Sequence, residues 1–408
     1  MQFRDVVIVE GCRTAIGSMG GSLKPLHANE LAGAVMNELV RRAGIDKGMV
    51  DEIIFGQCRQ SSDESNMARY AALRAGFPVT TSAQTVMRQC ASAMTAVQTG
   101  MLEIAAGSAE VVIAGGAESM SNGIFYLSNA RWGVGTGTTE LKDSLTEGQF
   151  NSQPQETYGK FAMGVTAENI ADQLGITREE MDKLSLMSHQ RAAAATDAGK
   201  FKEEIVPVTV PQGRKKPPIV FDTDEFFRRD TSMETLGKLK PVFRKAEDGG
   251  RVTAGNSSGR NDAAAGVLMM TAEKAKELGL KPICKIIGMG VAGCDPRTMG
   301  LGPVYAVPKA LEMAGITADD LGVIELNEAF AAQALGCIKM LGWEDKMDII
   351  NPNGSGISLG HPIGCTGCRI LVTLMYELRR RHEKYGLATL CIGGGMGQAT
   401  VIEMIYDD

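Results

Sequence analysis

The chain contains no window of about 18 uninterrupted apolar residues, so its sequence offers no transmembrane helix. Its N-terminus lacks the basic start and long apolar run of a secretory signal; Arg4 and Asp5 place charges there instead. Basic residues are not in excess. Lys and Arg number 42 against 48 Asp and Glu, a net charge of −6, which argues against a dedicated nucleic-acid binder. Anionic small substrates remain open, because local clusters differ from the total. Histidine is scarce, with four in 408 residues. The nine cysteines, at 12, 58, 90, 284, 294, 337, 365, 368 and 391, are odd in number and irregular in spacing. Without a signal peptide, that set fits reduced thiols in the cytoplasm and not a disulfide framework.

What remains is an ordinary globular balance, 44% apolar and 22% charged. The length suggests two or three domains with ample core. Strand signals at 6–9, 53–55, 84–87 and 111–114 alternate with helical spacing at 29–42 (Leu31, Val35, Leu39, with Asn29 as cap) and at 91–106. Such alternation predicts a mostly parallel sheet covered on both faces. Residues 121–160 turn rich in Gly, Ser, Thr and Asn. A helical stretch at 166–199 and a Pro- and Lys-containing segment at 207–218 follow. Strand–helix alternation resumes near Val252.

We therefore divide the chain into an N-terminal half at 1–120, completed by about 251–275, an inserted loop domain at 121–250, and a C-terminal half at 276–408. The halves echo each other. Cys90 opens a helix leading to Val111-Val-Ile-Ala-Gly-Gly116, and Gly360-His-Pro-Ile-Gly364 opens one leading to Thr389-Leu-Cys-Ile-Gly-Gly-Gly395.

Four segments carry chemistry. Cys90, in Met87-Arg-Gln-Cys-Ala-Ser-Ala93, precedes a small-residue helix, whose N-terminus would stabilise a thiolate and lower its pKa. The same position suits a buried structural cysteine. His361 lies in Asn351-Pro-Asn-Gly-Ser-Gly-Ile-Ser-Leu-Gly-His-Pro-Ile-Gly364, fenced by glycines that let backbone approach a ligand. A histidine beside a thiol is the usual means of activating it. Cys391 precedes Ile392-Gly-Gly-Gly-Met-Gly397, where free N–H groups can form an oxyanion hole. A tight hairpin explains the same glycines. Asn327-Glu-Ala-Phe-Ala331 follows a strand, where open α/β sheets place site residues; helix capping is the plainer use of Asn327.

Taken in chain order, the helix-opening Cys90, Asn327-Glu-Ala-Phe330, Gly360-His-Pro-Ile-Gly364 and Cys391-Ile-Gly-Gly-Gly395 resemble the thiolases. Val7-Ile-Val-Glu-Gly-Cys-Arg-Thr-Ala-Ile-Gly17, Gly115-Gly-Ala-Glu-Ser-Met-Ser121 and Thr253-Ala-Gly-Asn-Ser-Ser-Gly-Arg-Asn-Asp262 extend the likeness nearly end to end. The resemblance implies an α/β fold of two similar βαβαβαββ halves in an α-β-α-β-α arrangement around a buried helix pair. It implies CoA-dependent cleavage of a 3-ketoacyl-CoA, with coenzyme A as cosubstrate and neither prosthetic group nor metal. Biosynthetic condensation of two acetyl-CoA is the second reading, and a non-catalytic acyl-CoA or lipid carrier the third.

The resemblance implies Cys90 as acylated nucleophile, His361 as its base and Cys391 as the group moving the alpha-carbon proton. Asn327 holds a water for one oxyanion hole, and the N–H groups of Cys90 and Gly393 form another. Met163, Arg228, Ala254, Ser258, Ala329 and Phe330 match the coenzyme A channel. A homodimer or homotetramer, a cytoplasmic site and a place in fatty acid metabolism are also implied.

Two departures stand out. Ala91-Ser-Ala93 replaces the frequent Gly-Ser-Gly, and its methyls are expected to narrow the site. Ala162 stands where biosynthetic members carry His, which resembles the degradative branch with broader acyl scope.

Three further signals are weaker. Gly288-Met-Gly-Val-Ala-Gly293 fits a dinucleotide fingerprint, but no helix opens at its third glycine. Cys365-Thr-Gly-Cys368 has no second such pair, so helix packing outweighs metal or redox use. Arg214-Lys-Lys216 offers charge for coenzyme A phosphates but fits a solvated face.

Overall fold

The computed structural model describes residues 4–213 and 215–406, so Arg214 of the basic run lies outside the described residues. Nine strands form the spine of one sheet: β1 (Val6–Thr14), β2 (Glu52–Gly56), β3 (Ser82–Val86), β4 (Val111–Ser119), β5 (Asn261–Thr271), β6 (Cys284–Gly293), β7 (Leu321–Leu326), β8 (Tyr385–Ile392) and β9 (Met396–Met404). Their order is β7-β8-β9-β6-β1-β5-β4-β2-β3. Two short strands, Gly17–Ser18 and Ile205–Val206, add to β5 and β1.

The spine divides at its middle. β1 meets β6 through a single residue pair, Ile8 with Cys284. On one side β3, β2 and β4 run parallel, then β5 and β1 antiparallel. On the other, β7 and β8 run parallel, then β9 and β6 antiparallel. Ile350 bridges beyond β7 as β3 lies beyond β2. The halves therefore repeat one topology, as the echo in the sequence suggested.

The core follows from burial. All of β4 and β5 is buried, which suits strands covered on both faces. Helix α1 (Ala28–Ala43) covers β5 and β1 from outside. Helix α2 (Ser92–Ala106) lies against β4 and β2. Three helices, α3 (Ser144–Phe150), α4 (Met163–Leu174) and α5 (Arg178–Asp197), belong to the inserted segment. Helix α6 (Gly302–Ala314) covers β6 and β9, α7 (Ala331–Leu341) follows β7, and α8 (Thr366–Arg381) lies against β8 and β7.

Every residue of α8 from Thr366 to Leu378 is buried, as a helix enclosed on all sides must be. It packs on α2, where a Cβ on Gly367 would fall 2.6 Å from the Met94 backbone nitrogen. Gln98 Nε2 of α2 donates to the Ala399 carbonyl of β9 at 3.0 Å, stitching the two halves. Helix–sheet–helix–sheet–helix layering results.

The sheet is mixed and not mostly parallel as the alternation predicted, because β1, β5, β6 and β9 pair antiparallel with their neighbours in the spine. Local expectations also fared unevenly. Asn29 does not cap α1. His27 is the N-cap, and its N–H donates to Glu30 Oε2 at 2.9 Å. Asn29 is buried and accepts from Arg74 instead. The stretch at 166–199 is two helices, because Gly175 closes α4 at φ +66°. The fingerprint-like glycines are a packing device. Cβ atoms on Gly288 and Gly290 would each lie 2.1 Å from a carbonyl of α6.

Candidate active site

Cys90 sits on the connection from β3 to α2. Gln89, just before it, has φ +46°, a conformation few non-glycine residues adopt. The Ser92 hydroxyl fixes this turn: it accepts from the Arg88 N–H at 2.9 Å and donates to the Gln89 carbonyl at 2.6 Å. The thiol lies one residue before the N-cap, Ala91, so the helix end helps it only weakly. Burial raises its pKa against an opposing hydrogen bond from the Gly393 N–H. That corrects the expectation of a lowered thiol pKa; an active Cys90 needs a base.

The base is built from the loop before α8. Gly360, at φ +105°, passes so close to Asn261 that a Cβ would lie 2.4 Å from its carboxamide carbon. Asn261 Oδ1 accepts the His361 N–H at 3.0 Å. Glu118 closes the loop's other end, accepting from the N–H groups of Gly364 at 2.8 Å and Cys58 at 3.0 Å. His361 Nδ1 lies 2.7 Å from Thr366 Oγ1, while its Nε2 is buried without a partner. Burial, with Arg369 adding, pushes the His361 pKa down to about 3. Its ring is thus neutral over the ordinary pH range.

Cys391 is the last residue but one of β8, and Gly393 to Gly395 turn the chain into β9, with Gly394 at φ +89° and Gly395 at φ +84°. Cys391 is fully buried, and burial drives its thiol well above the usual range, with Cys90 adding. Asn327 ends β7. It does not cap α7, whose N-cap is Phe330. Both polar atoms of its carboxamide are buried without partners, and its Oδ1 would lie 2.8 Å from a Cβ on Gly356 of the His361 loop.

One cavity of about 340 Å3 gathers most of the expected residues: Cys90, His361, Cys391, Gly393, Met163, Ser258, Ala329 and Phe330. Arg228 and Ala254 line a second cavity of about 230 Å3. Ala254 and Gly255 line the smaller cavity and Ser257 to Arg260 the larger, and the Ser258 N–H bonds to the Ala329 carbonyl at 2.9 Å. Asn327 lines neither. A thiol, a neutral imidazole, a second thiol and the Gly393 backbone N–H at one space are equipped for acyl transfer at a thioester.

Two family models cover nearly the whole chain: the thiolase N-terminal domain at residues 6–273 and the thiolase C-terminal domain at 280–404. The chain belongs to the thiolase family. It is similar to an acetyl-CoA acetyltransferase of Chromobacterium violaceum, 51% identical over 98% of this chain and 99% of the relative. A beta-ketothiolase, BktB, of Cupriavidus necator is 45% identical over 98% of this chain and 100% of its own length. Among solved structures, the Bacillus anthracis acetyl-CoA acetyltransferase aligns with a TM-score of 0.94 and 46% identity, covering 99% of this chain and 100% of that one. Human mitochondrial 3-ketoacyl-CoA thiolase aligns at 0.92 and 39%, covering 100% of both. As a thiolase, the protein is an acyltransferase with coenzyme A as cosubstrate.

One expectation for this thiolase fails. The methyls of Ala91 and Ala93 do not line the cavity; both residues are fully buried, and Ala93 packs toward Gly116. Sequence reasoning also missed several residues. Asn261 and Glu118 sat inside motifs quoted only as likenesses, and Thr366 lay hidden between Cys365 and Cys368. Arg59, which lines the cavity, follows no motif.

Proposed function

We propose that this thiolase cleaves 3-ketoacyl-CoA to acetyl-CoA and a shortened acyl-CoA through an acyl group on Cys90. His361 Nε2 takes the Cys90 proton, and the thiolate attacks C3. The oxyanion faces the N–H groups of Cys90 and Gly393, or a water held by Asn327 and His361. As C2–C3 breaks, the Cys391 thiol gives its proton to C2, and acetyl-CoA leaves. The proton on His361 returns to Cys391. Coenzyme A then gives its thiol proton to His361, attacks the Cys90 thioester and releases Cys90, which recovers that proton.

The observation that carries this reading is the convergence of Cys90, a buried His361 with Nε2 free, Cys391 and Gly393 on one cavity. The adjoining cavity with Arg228 and Ala254 suits the far end of coenzyme A. Coenzyme A-dependent cleavage of a panel of 3-ketoacyl-CoAs tests it. Turnover that survives Cys90→Ala would refute it. Condensation of two acetyl-CoA is the second reading, favoured by relatives named acetyl-CoA acetyltransferase. The same residues serve both directions, and metabolite levels set the flux.

The domain division at 1–120 with 251–275, 121–250 and 276–408 belongs to the same proposal, as do a reducing cytoplasmic setting and service in fatty acid metabolism. Nine free cysteines agree with that setting. No helix among the described residues is long and apolar enough to cross a membrane. A homodimer or homotetramer is supported by the exposed Phe125, Trp132, Val134 and Leu141 on the inserted segment, and by β3 at the sheet edge.

A further inference from the structure

Arg59 lies on the loop after β2, and its side chain lines the Cys90 cavity. Among the described residues nothing accepts a hydrogen bond from its guanidinium, and its Nε is buried without a partner. Arg59 as a whole is half-buried, and a buried N–H such as its Nε is normally paired, because leaving one unpaired is costly. The nearby carboxylate is already engaged. Glu118 accepts the Arg59 backbone N–H at 3.2 Å and those of Cys58 and Gly364 at 3.0 and 2.8 Å.

A glycine makes room for the group. A Cβ on Gly148 of α3 would fall 2.5 Å from Arg59 Cζ, so any other residue there would displace the guanidinium. Arg260 brings a second cation to the same cavity, and its partner Asp143 is 4.0 Å away. No Asp or Glu lines that cavity among the described residues. Neither the Arg59 loop nor α3 borders the Arg228 cavity, which suits the far end of coenzyme A.

An arginine with free donors facing a reaction cavity matches a planar anion that accepts two parallel N–H bonds. We infer that Arg59 is a specificity-determining residue that receives a carboxylate at the far end of the acyl chain, so that coenzyme A half-thioesters of 3-keto dicarboxylic acids are the favoured substrates. The inference rests on the thiolase reading. Cleavage would release acetyl-CoA and leave the shortened acyl group on Cys90 with its carboxylate on Arg59.

The test compares kcat/KM for half-thioesters of 3-keto dicarboxylic acids of five, six and seven carbons with the straight-chain 3-ketoacyl-CoAs of equal length. The native enzyme, Arg59→Leu and Arg59→Lys are assayed. Taking the ratio within each preparation cancels any loss of folded enzyme.

At one length or more the native enzyme should favour the carboxylate-bearing substrate by at least about tenfold. That ratio should fall roughly ten- to hundredfold in Arg59→Leu, the scale of a lost hydrogen bond to a charged group. Arg59→Lys should keep part of it. If Arg59→Leu yields no active enzyme, the Arg59→Lys and Arg59→Gln ratios decide. A native ratio of one or less at every length would overturn the inference. So would an unchanged ratio in Arg59→Leu, whether both substrates fall together or only the KM for coenzyme A rises. Turnover of neutral substrates alone overturns the inference but spares the thiolase reading; no turnover of any substrate overturns both.

Discussion

Thr366 Oγ1 lies 2.7 Å from His361 Nδ1 and donates its own proton to the Pro362 carbonyl at 3.0 Å. A hydroxyl has one proton to give. Having given it to Pro362, Thr366 accepts from Nδ1–H, which leaves the lone pair of the neutral ring on Nε2. Nε2 is the atom that faces no protein partner. The first turn of α8 thus selects the tautomer that can take a thiol proton.

That relationship predicts the behaviour of Thr366→Val. Losing the acceptor frees the ring to hold either tautomer and to rotate, so kcat/KM should fall about ten- to hundredfold, on the scale of a positioned base made less competent. Thr366→Ser should retain most activity. Equal activity of Thr366→Val and the native enzyme would show that Thr366 does not orient the base.

Thiol reactivity follows from burial. Cys90 and Cys294 are half-buried, whereas the other seven thiols are buried. Cys294 is pushed up to about 11, while the Gly393 N–H opposes the rise at Cys90. Limiting iodoacetamide should therefore label Cys90 first, with activity lost in step. Because burial holds the Cys90 thiol above its ordinary range, the labelling rate should still be climbing between pH 7 and pH 9. A rate already flat at pH 7 would mean a thiolate stabilised in the resting enzyme, which mass spectrometry of the labelled peptides would detect.

Glu325 gives a stability prediction with a definite sign. It is fully buried 3.5 Å from Arg369, and burial raises its pKa to about 8 from 4.5. A carboxyl raised on folding binds its proton more tightly in the folded state. Its contribution is fully present below the unfolded pKa and is lost as pH rises through the folded one. Tm should fall between pH 5 and pH 8.5, and Glu325→Gln should flatten that fall by a few degrees. Parallel curves for the two proteins would remove Glu325 as the cause.

Gly367→Ala tests the helix pair. Its new Cβ would meet the Met94 backbone nitrogen at 2.6 Å, and backbone cannot move aside as a side chain can. Overpacking of this kind costs about 1–3 kcal/mol. Denaturant unfolding should show a loss in that range, and an unaltered midpoint would refute the close approach.

Much of this was legible in the sequence because the relevant signals are local. β4 and α2 follow from an unbroken apolar run and a small-residue helix. The glycines around His361 and after Cys391 announce turns that bring backbone near a ligand. Other parts depend on contacts distant in the chain. Glu118 reaches Gly364, and Asn261 reaches His361, across loops whose pairing no periodicity reveals. The failed cap at Asn29 has the same cause, since a contact with Arg74 claimed that side chain. The methyls of Ala91 and Ala93 were misjudged because closeness in sequence to Cys90 did not fix which way they point. Arg59 gave no signal, because its meaning lies in what it fails to pair with.

The division of labour between the two cysteines is the centre of the proposed mechanism. Cys90 carries the acyl group, and Cys391 only moves a proton at carbon. In Cys391→Ala the nucleophile, His361 and the Gly393 N–H remain, so label from radioactive acetyl-CoA should still transfer to Cys90. Cleavage of a 3-ketoacyl-CoA should fall by roughly 10²–10⁴, the usual cost of a lost acid or base. Cys90→Ala should abolish both. The measurement is acyl labelling alongside cleavage for the two variants. Normal cleavage by Cys391→Ala, or label still trapped by Cys90→Ala at a thiol that turns over, would contradict the mechanism.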